Sequence, residues 1–406
     1  MAKVARRKVR QDKKPNKKKE ISIRRTKTFS SIIKEEKWNA ANGSEFNKLS
    51  ADVLTSIFLK CSVKTLSISR CISKSWNEII ISPLFVRSHQ KQQLVENGPQ
   101  FLFMEPKHYK PRPSMCRSFV SVDMEGRYEE LYTVAHPDDQ IYCSQWRVCS
   151  GLVCLSTKRR IYLCNPAIHQ LRELPNCSPS AIPGHNLFGF GYLDSRKEYK
   201  VVHFFHKGPR CLRSDVQLAQ LRCEVFTLND GGISNGRWKE IAEPPPYHPC
   251  LAGLLVNECM YWLARDEVQY YAQPRVISFD FVENGKFIAI TCPSAFETLF
   301  GLNLMDLKGK VCLADYVNFR RSSILDLWIL EDKISSTWVK EYSINLVSFM
   351  HKNIMNFCMP WNEELMFVSL GMIVFYDLKK KSSRGVKRFG IQHFEIYSKT
   401  LFSLDP

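Results

Sequence analysis

Apolar residues between positions 49 and 85 recur at helical spacing. In Leu49-Ser50-Ala51-Asp52-Val53-Leu54-Thr55-Ser56-Ile57-Phe58-Leu59-Lys60-Cys61, the residues Leu54, Ile57, Phe58 and Cys61 stand at offsets 0, 3, 4 and 7, one face of a short helix. Ser50 is suited to cap it, and Asp52 falls in the first turn, where the positive end of the helix dipole favours a carboxylate. Ser62 is placed to cap a second helix carrying Val63, Leu66 and Cys71, and a third holds Ile72, Trp76, Ile79 and Ile80 until Pro83 stops it. The expectation is a three-helix unit of about 40 residues. A unit so small buries too little surface to stand alone, so its apolar residues need the rest of the chain or another protein.

Beyond residue 95 the pattern changes to short apolar runs broken by Gly, Pro, Asn and Asp, which predicts strands. Six of these runs form a series: Phe101-Leu102-Phe103-Met104, Leu152-Val153-Cys154-Leu155, Lys200-Val201-Val202, Cys259-Met260-Tyr261-Trp262, Val311-Cys312-Leu313-Ala314 and Leu365-Met366-Phe367-Val368. Their starts lie 51, 48, 59, 52 and 54 residues apart, close to the ~50-residue period of kelch-type propeller blades. A second run recurs behind the first and ends in an Asn or acidic residue: Tyr162–Asn165, Glu224–Asn229, Ile277–Asp280, Leu327–Glu331 and Val374–Asp377. Return strands follow at Arg172–Pro175, Arg237–Ile241 and Thr337–Lys340. The fold class expected is mainly β with a small N-terminal helical segment, the β region closing as a kelch-like β-propeller of about six blades or, as the alternative, an open β-sandwich.

The net charge of +18 over 406 residues changes meaning once it is located. Residues 1–37 carry 15 Lys/Arg against 4 Asp/Glu, and the remainder is only mildly basic. The run from Arg6-Arg7-Lys8 to Lys17-Lys18-Lys19 has little to bury, so residues 1–45 are expected to be a disordered basic tail. Such a tail suits nuclear import or a nonspecific polyanion contact, but no base-stacking aromatic occurs in residues 1–28. No span of about 18 apolar residues and no secretory leader is present, so nucleus and/or cytoplasm is the expected location, with no membrane partner.

Fifteen scattered cysteines contain no Cys-x-x-Cys pair, and the nearest clusters, Cys149 with Cys154 and Cys164 with His169, fit strand alternation better than a metal cage. His203 and His206 fall on opposite faces of a strand. No phosphate-binding loop, nucleophile elbow or zinc-protease helix is present. Cys154 and Cys164 are expected to pack as small hydrophobes, and Asp194 with Glu198, like Asp280 with Glu283, fits an exposed turn. No catalytic residue, cofactor or metal site is expected.

Leu49-x-x-Asp52-Val53-Leu54-x-x-Ile57-Phe58, Val63-Lys64-x-Leu66-x-x-x-Arg70-Cys71-Ile72-Ser73-Lys74-x-Trp76, Ser82-Pro83-x-Phe85 and His89 closely resemble the F-box motif of plant F-box proteins. Two prolines usual in that family are replaced here, by Ser50 and Ser62, both good helix caps. The resemblance implies that residues 46–90 bind a Skp-type adaptor, and through it a cullin scaffold, using Leu49, Val53, Leu54, Ile57, Leu66 and Trp76. Residues 95–406 resemble the F-box-associated domain, in Ser150-Gly151-Leu152-Val153-Cys154-Leu155, Cys164-Asn165-Pro166-Ala167, Phe188-Gly189-Phe190-Gly191-Tyr192 and Tyr261-Trp262-Leu263-Ala264. In that family this domain recruits the protein to be ubiquitinated, so the resemblance implies a non-catalytic substrate receptor of an SCF-type cullin ubiquitin ligase. The rival expectation is a nucleic-acid- or chromatin-associated protein using its basic arm. A propeller enzyme has only the fold in its favour. The sequence does not name the substrate. Cys177–His185, His206–Leu212 and Pro244–Pro249 are the candidate recognition loops.

Overall fold

A serine precedes each of four helices and caps it. In the computed structural model, α1 (Ala51–Leu59) follows Ser50, whose Oγ accepts from Val53 N at 3.4 Å. α2 (Val63–Ser69), α3 (Lys74–Ile81) and α4 (Pro83–Asn97) follow Ser62, Ser73 and Ser82, which accept from the N–H groups of Thr65, Trp76 and Phe85. These bonds satisfy N–H groups that no helical carbonyl can reach. The structure describes residues 49–98, 100–109, 114–134, 145–157, 160–180, 187–208, 220–229, 232–233, 236–266, 273–282, 285–296, 299, 301–315, 324–345, 357–361, 364–369, 372–388 and 394–405. The basic tail lies outside them. By contact density the chain divides into units 1–54 and 55–406.

The helical segment departs from the three-helix expectation in two respects. Pro83 ends α3 but also opens α4, a 15-residue helix in which it takes the first position, where a proline's missing N–H costs nothing. Cys71 and Ile72 stand in the turn between α2 and α3 rather than inside a helix, and Ile72 is 58% exposed. Gly98, at φ 67°, closes α4 in a conformation that favours glycine.

Among the described residues, 25 strands form six antiparallel sheets arranged as the blades of a propeller. Blade 2 is β4 (Gln145–Cys149), β5 (Leu152–Ser156), β6 (Ile161–Asn165) and β7 (Gln170–Glu173), and blade 3 is β8 (Leu187–Leu193), β9 (Glu198–Lys207), β10 (Gln220–Leu228) and β11 (Trp238–Glu240). In blade 4 the first position is split between β12 (His248–Pro249) and β13 (Leu254–Val256), which both pair β14 (Cys259–Arg265); β15 (Arg275–Asp280) and β16 (Phe287–Thr291) complete it. Blade 5 is β17 (Leu302–Leu307), β18 (Lys310–Asp315), β19 (Ile324–Asp332) and β20 (Thr337–Asn345). Blade 6 is β21 (Phe357–Trp361), β22 (Glu364–Ser369), β23 (Met372–Asp377) and β24 (Ser382–Arg388). Blade 1 takes its first strand from the far end of the chain: β25 (Phe394–Tyr397) pairs β1 (Gln100–Tyr109), which is followed by β2 (Ser114–Val122) and β3 (Tyr128–Val134).

Six core clusters correspond to the six blade-to-blade interfaces. Successive residues of one strand feed opposite clusters: Val201 packs toward blade 2 and Val202 toward blade 4. This burial on both faces is why the six second-position strands read as continuous apolar runs. The ring is closed, because Phe101, Phe103 and Phe394 of blade 1 share a cluster with Met366 and Phe375 of blade 6. An open sandwich is thereby set aside. Trp262 fits between blades 3 and 4 only because Gly189 and Gly253 lack side chains; a Cβ on either would stand 2.7 or 2.6 Å from its ring. After β25 the chain runs back across blades 2 and 3. The Asn165 side-chain amide donates to the carbonyls of Thr400 (3.0 Å) and Phe402 (2.8 Å), and Leu401 and Leu404 are buried.

Candidate functional site

The helices and the β region meet at one end of the blades. α2 lies against the 3-10 turn Pro166–Ile168 that joins β6 to β7. Gln90 of α4 donates to Ser398 Oγ at 2.9 Å, and Gly151, in the β4–β5 hairpin at φ 79°, leaves room for that pair. A Cβ on Gly151 would stand 2.5 Å from the Ser398 carbonyl and 2.8 Å from Gln90 Nε2. The Arg87 side chain of α4 bonds Tyr192 of β8, whose hydroxyl pKa is raised by burial and partly offset by that cation. Two-residue hairpins turn at this end in blades 2, 4 and 5, with both central residues left-handed: Ser150/Gly151, Asn257/Glu258 and Lys308/Gly309. Glu258 is held in that strained shape by Ser195, whose N–H donates to its carboxylate at 2.9 Å.

Within the helices, the Phe58 ring meets Trp76 edge-on at 5.0 Å and Phe85 at 6.4 Å, and Phe85 stacks on His89. His89 is fully buried and its Nε2 lies 2.7 Å from the Cys61 carbonyl, so the neutral ring carries its proton there. Burial lowers its pKa, against the raising influence of the Cys61 carbonyl and Glu96.

The six residues expected to grip an adaptor do not share one environment. Leu54 and Leu66 are buried, at 6% and 0% exposure, and do not offer a surface in this fold. Helical periodicity shows which face is apolar but not whether the chain covers it; Leu66 sits on the helix that packs against the 3-10 turn. Leu49 and Trp76 are half-buried. Val53 and Ile57, one turn apart on α1, are 45% and 44% exposed. Further apolar side chains are uncovered on the same helices and their turns: Ile72, which the sequence pattern placed in the third helix, and Ile68, Ile81, Leu84 and Val95, which it did not single out.

A second cluster lies toward the other end of blade 3. β9 is ten residues long, so at about 3.3 Å per residue its ends are about 30 Å apart. It starts at the hairpin near Tyr192 and carries His203 and His206 in its far half. His203 pairs across the strands with Glu224 of β10, Nδ1 to Oε1 at 2.9 Å, and both are buried. Glu224 also accepts from Ser178 N (2.7 Å) and Ser178 Oγ (2.8 Å), and Cys177 comes beside the pair. Burial by itself would lower the His203 pKa, but hydrogen bonds and charges from Cys177 and Glu224 outweigh it and lift it to about 9. On the opposite face of β9, His206 Nε2 lies 3.3 Å from His248 Nε2, and His206 N–H bonds Ser180 Oγ at 3.1 Å. The described parts of all three candidate recognition loops thus meet here: residues 177–180, 206–208 and 244–249. Residues 181–185 and 209–212 lie outside the described residues. The partnership of Cys177, His203 and Glu224 was missed in the sequence because strand register and a loop between blades assemble it, with no local motif.

At the axis, Arg147 of β4 donates from Nη1 to Glu395 of β25 at 2.6 Å and from Nη2 to the Ala252 carbonyl at 3.4 Å. Glu395 is buried, which raises its carboxyl pKa against the pull of Arg147. The pair ties the closing strand to blade 2. Cys154 and Cys164 are buried in strands, and burial pushes the Cys164 pKa well up. Among the described residues no helix is long and apolar enough to cross a membrane.

Residues 56–404 match the profile of the F-box associated beta propeller domain. The chain is 24% identical over 334 residues to "F-box protein At3g07870" of Arabidopsis thaliana, covering 74% of each chain. It is 27% identical to "F-box/kelch-repeat protein At2g43445" of the same plant, covering 82% of this chain and 75% of the relative. The WD40 domain of Neurospora crassa Pan2 aligns over 72% of this chain and 81% of its own at 9% identity and a TM-score of 0.40, too distant to bear on the argument. With a closed six-bladed ring, helices seated on one end of it and a family profile spanning both, the chain belongs to the F-box-associated β-propeller family.

Proposed function

We propose that this protein is a substrate receptor of an SCF-type cullin ubiquitin ligase. The helices bind a Skp-type adaptor and the β-propeller selects the protein to be ubiquitinated. One observation carries the reading: the helical segment is anchored to the propeller by buried residues yet keeps Ile57, Ile68 and Ile72 at 44%, 42% and 58% exposure. Apolar residues uncovered on a folded helical unit mark a docking surface more than a core. The adaptor contact is therefore assigned to Val53, Ile57 and their exposed neighbours, with Leu54 and Leu66 as the interior that shapes it. The chain need supply no chemistry. Holding a target lysine near a charged conjugating enzyme raises its effective concentration to the ~mM range, and transfer belongs to the partner.

Substrate recognition belongs to the loops around Cys177, His206 and His248, at the end of the strands away from α2–α4. A target bound there is held clear of the adaptor. The decisive experiment is affinity purification with the proteasome inhibited, comparing the intact protein with one carrying Ile57→Asp. Loss of adaptor and cullin with retention of a common set of other proteins supports the reading; adaptor retention by a folded Ile57→Asp protein overturns it.

The net +11 of residues 1–37 favours a second reading, an arm that binds polyanions or directs nuclear import. Deleting residues 1–28 should then abolish salt-sensitive DNA binding or nuclear accumulation. An intact protein showing neither disposes of it.

A further inference from the structure

Cys177, His203 and Glu224 each present one donor atom, and the three atoms lie within 4.8 Å of one another. We propose that these residues form a zinc site that clamps the connection between blades 2 and 3 onto β9 and β10. A thiolate, an imidazole and a carboxylate form the mixed donor set that suits Zn2+, and the two anionic ligands balance its charge. Bonds of about 2.0–2.3 Å require donors roughly 3.3–3.8 Å apart in a tetrahedron, so separations of up to 4.8 Å close by no more than about 1.5 Å when the ion is gripped.

The surroundings are built to hold such ligands in place. Ser178 donates its N–H and its hydroxyl to the two Glu224 oxygens, fixing the carboxylate. Trp238 Nε1 donates to the Pro175 carbonyl at 2.7 Å, and its ring meets His203 edge-on at 5.9 Å. The loop is therefore pinned on both sides of Cys177. His203 is 1% exposed, and its ring lies against both the Glu224 carboxylate, Nδ1 to Oε1 at 2.9 Å, and the Cys177 thiol. A buried imidazole held between a carboxylate and a thiol brings three ligand types together on strands that cannot easily separate them. Arg222, on the same face of β10, is committed to Glu240 (2.9 Å) and does not compete for the Glu224 charge.

The test uses the full chain, stripped with a chelator and titrated with Zn2+ and, separately, with Co2+. About one metal per chain is expected, with the cobalt form showing the charge-transfer absorption of a thiolate ligand. Cys177→Ser should remove that absorption and weaken zinc by more than 100-fold, and Ser178→Ala should weaken it about 10–100-fold through the carboxylate. Circular dichroism confirms that both variants fold; Cys177 is half-buried, so its change to serine is tolerated. Absence of stoichiometric uptake overturns the proposal. So does uptake that Cys177→Ser and Glu224→Gln leave unchanged, since another group of thiols would then be the site.

Discussion

Ile57 and Leu66 belong to the same apolar pattern, yet the structure assigns them opposite consequences. Leu66 is fully buried, so Leu66→Ala removes packed methyl groups and leaves a cavity, costing about 2–5 kcal/mol of stability. Ile57 is 44% exposed, so Ile57→Asp loses only the covered part of the side chain and should cost about 1 kcal/mol, less than Leu66→Ala. At an interface the order reverses. Covering the exposed part of an isoleucine is worth about 1 kcal/mol, and burying a carboxylate in its place adds a penalty of several kcal/mol. At 1.4 kcal/mol per factor of ten, the Kd for a Skp-type adaptor should rise by about 100-fold or more. Chemical denaturation followed by tryptophan fluorescence reads the stability, and calorimetric titration with purified adaptor reads the affinity. If Ile57→Asp binds as the parent does, or Leu66→Ala melts as the parent does, the separation of surface from interior argued here is wrong.

Three further outcomes follow from the same structure. Asn165→Leu orphans the carbonyls of Thr400 and Phe402, at about 1–3 kcal/mol for each buried group, and should expose the C-terminal segment to carboxypeptidase; unchanged protection counts against the stitch. Arg147→Met leaves Glu395 buried without its cation and should cost about 3–5 kcal/mol at neutral pH, while adding Glu395→Gln should recover much of that; a denaturation series on both variants decides it. His89 has a folded pKa below its ordinary 6.5, so the unfolded chain binds more protons below that value. Its stabilising effect is complete above pH 6.5 and declines as the pH falls below it. Protection factors of α4 amides, taken against the intrinsic exchange rate at each pH, should fall between pH 7.5 and 5 in the parent and less in His89→Gln; an equal fall in both refutes the assignment.

The repeat was legible because propeller strands in the second position are buried on both faces. Each reads as an unbroken apolar run, and all six runs picked out by the sequence occupy that position. The starts of α1 and α2 were legible for an equally local reason, since a serine side chain bonds a backbone N–H three residues away; the Ser73 and Ser82 caps of α3 and α4 were not read. Periodicity could not say which apolar face the chain itself covers, so Leu54 and Leu66 stood beside Ile57 until packing separated them. Closure by β25, the Arg147–Glu395 tie and the union of Cys177, His203 and Glu224 all join residues remote in sequence. Sequence spacing records forces acting within a turn or a strand. Contacts across blades depend on register and on ring closure, and only the folded chain brings those residues together.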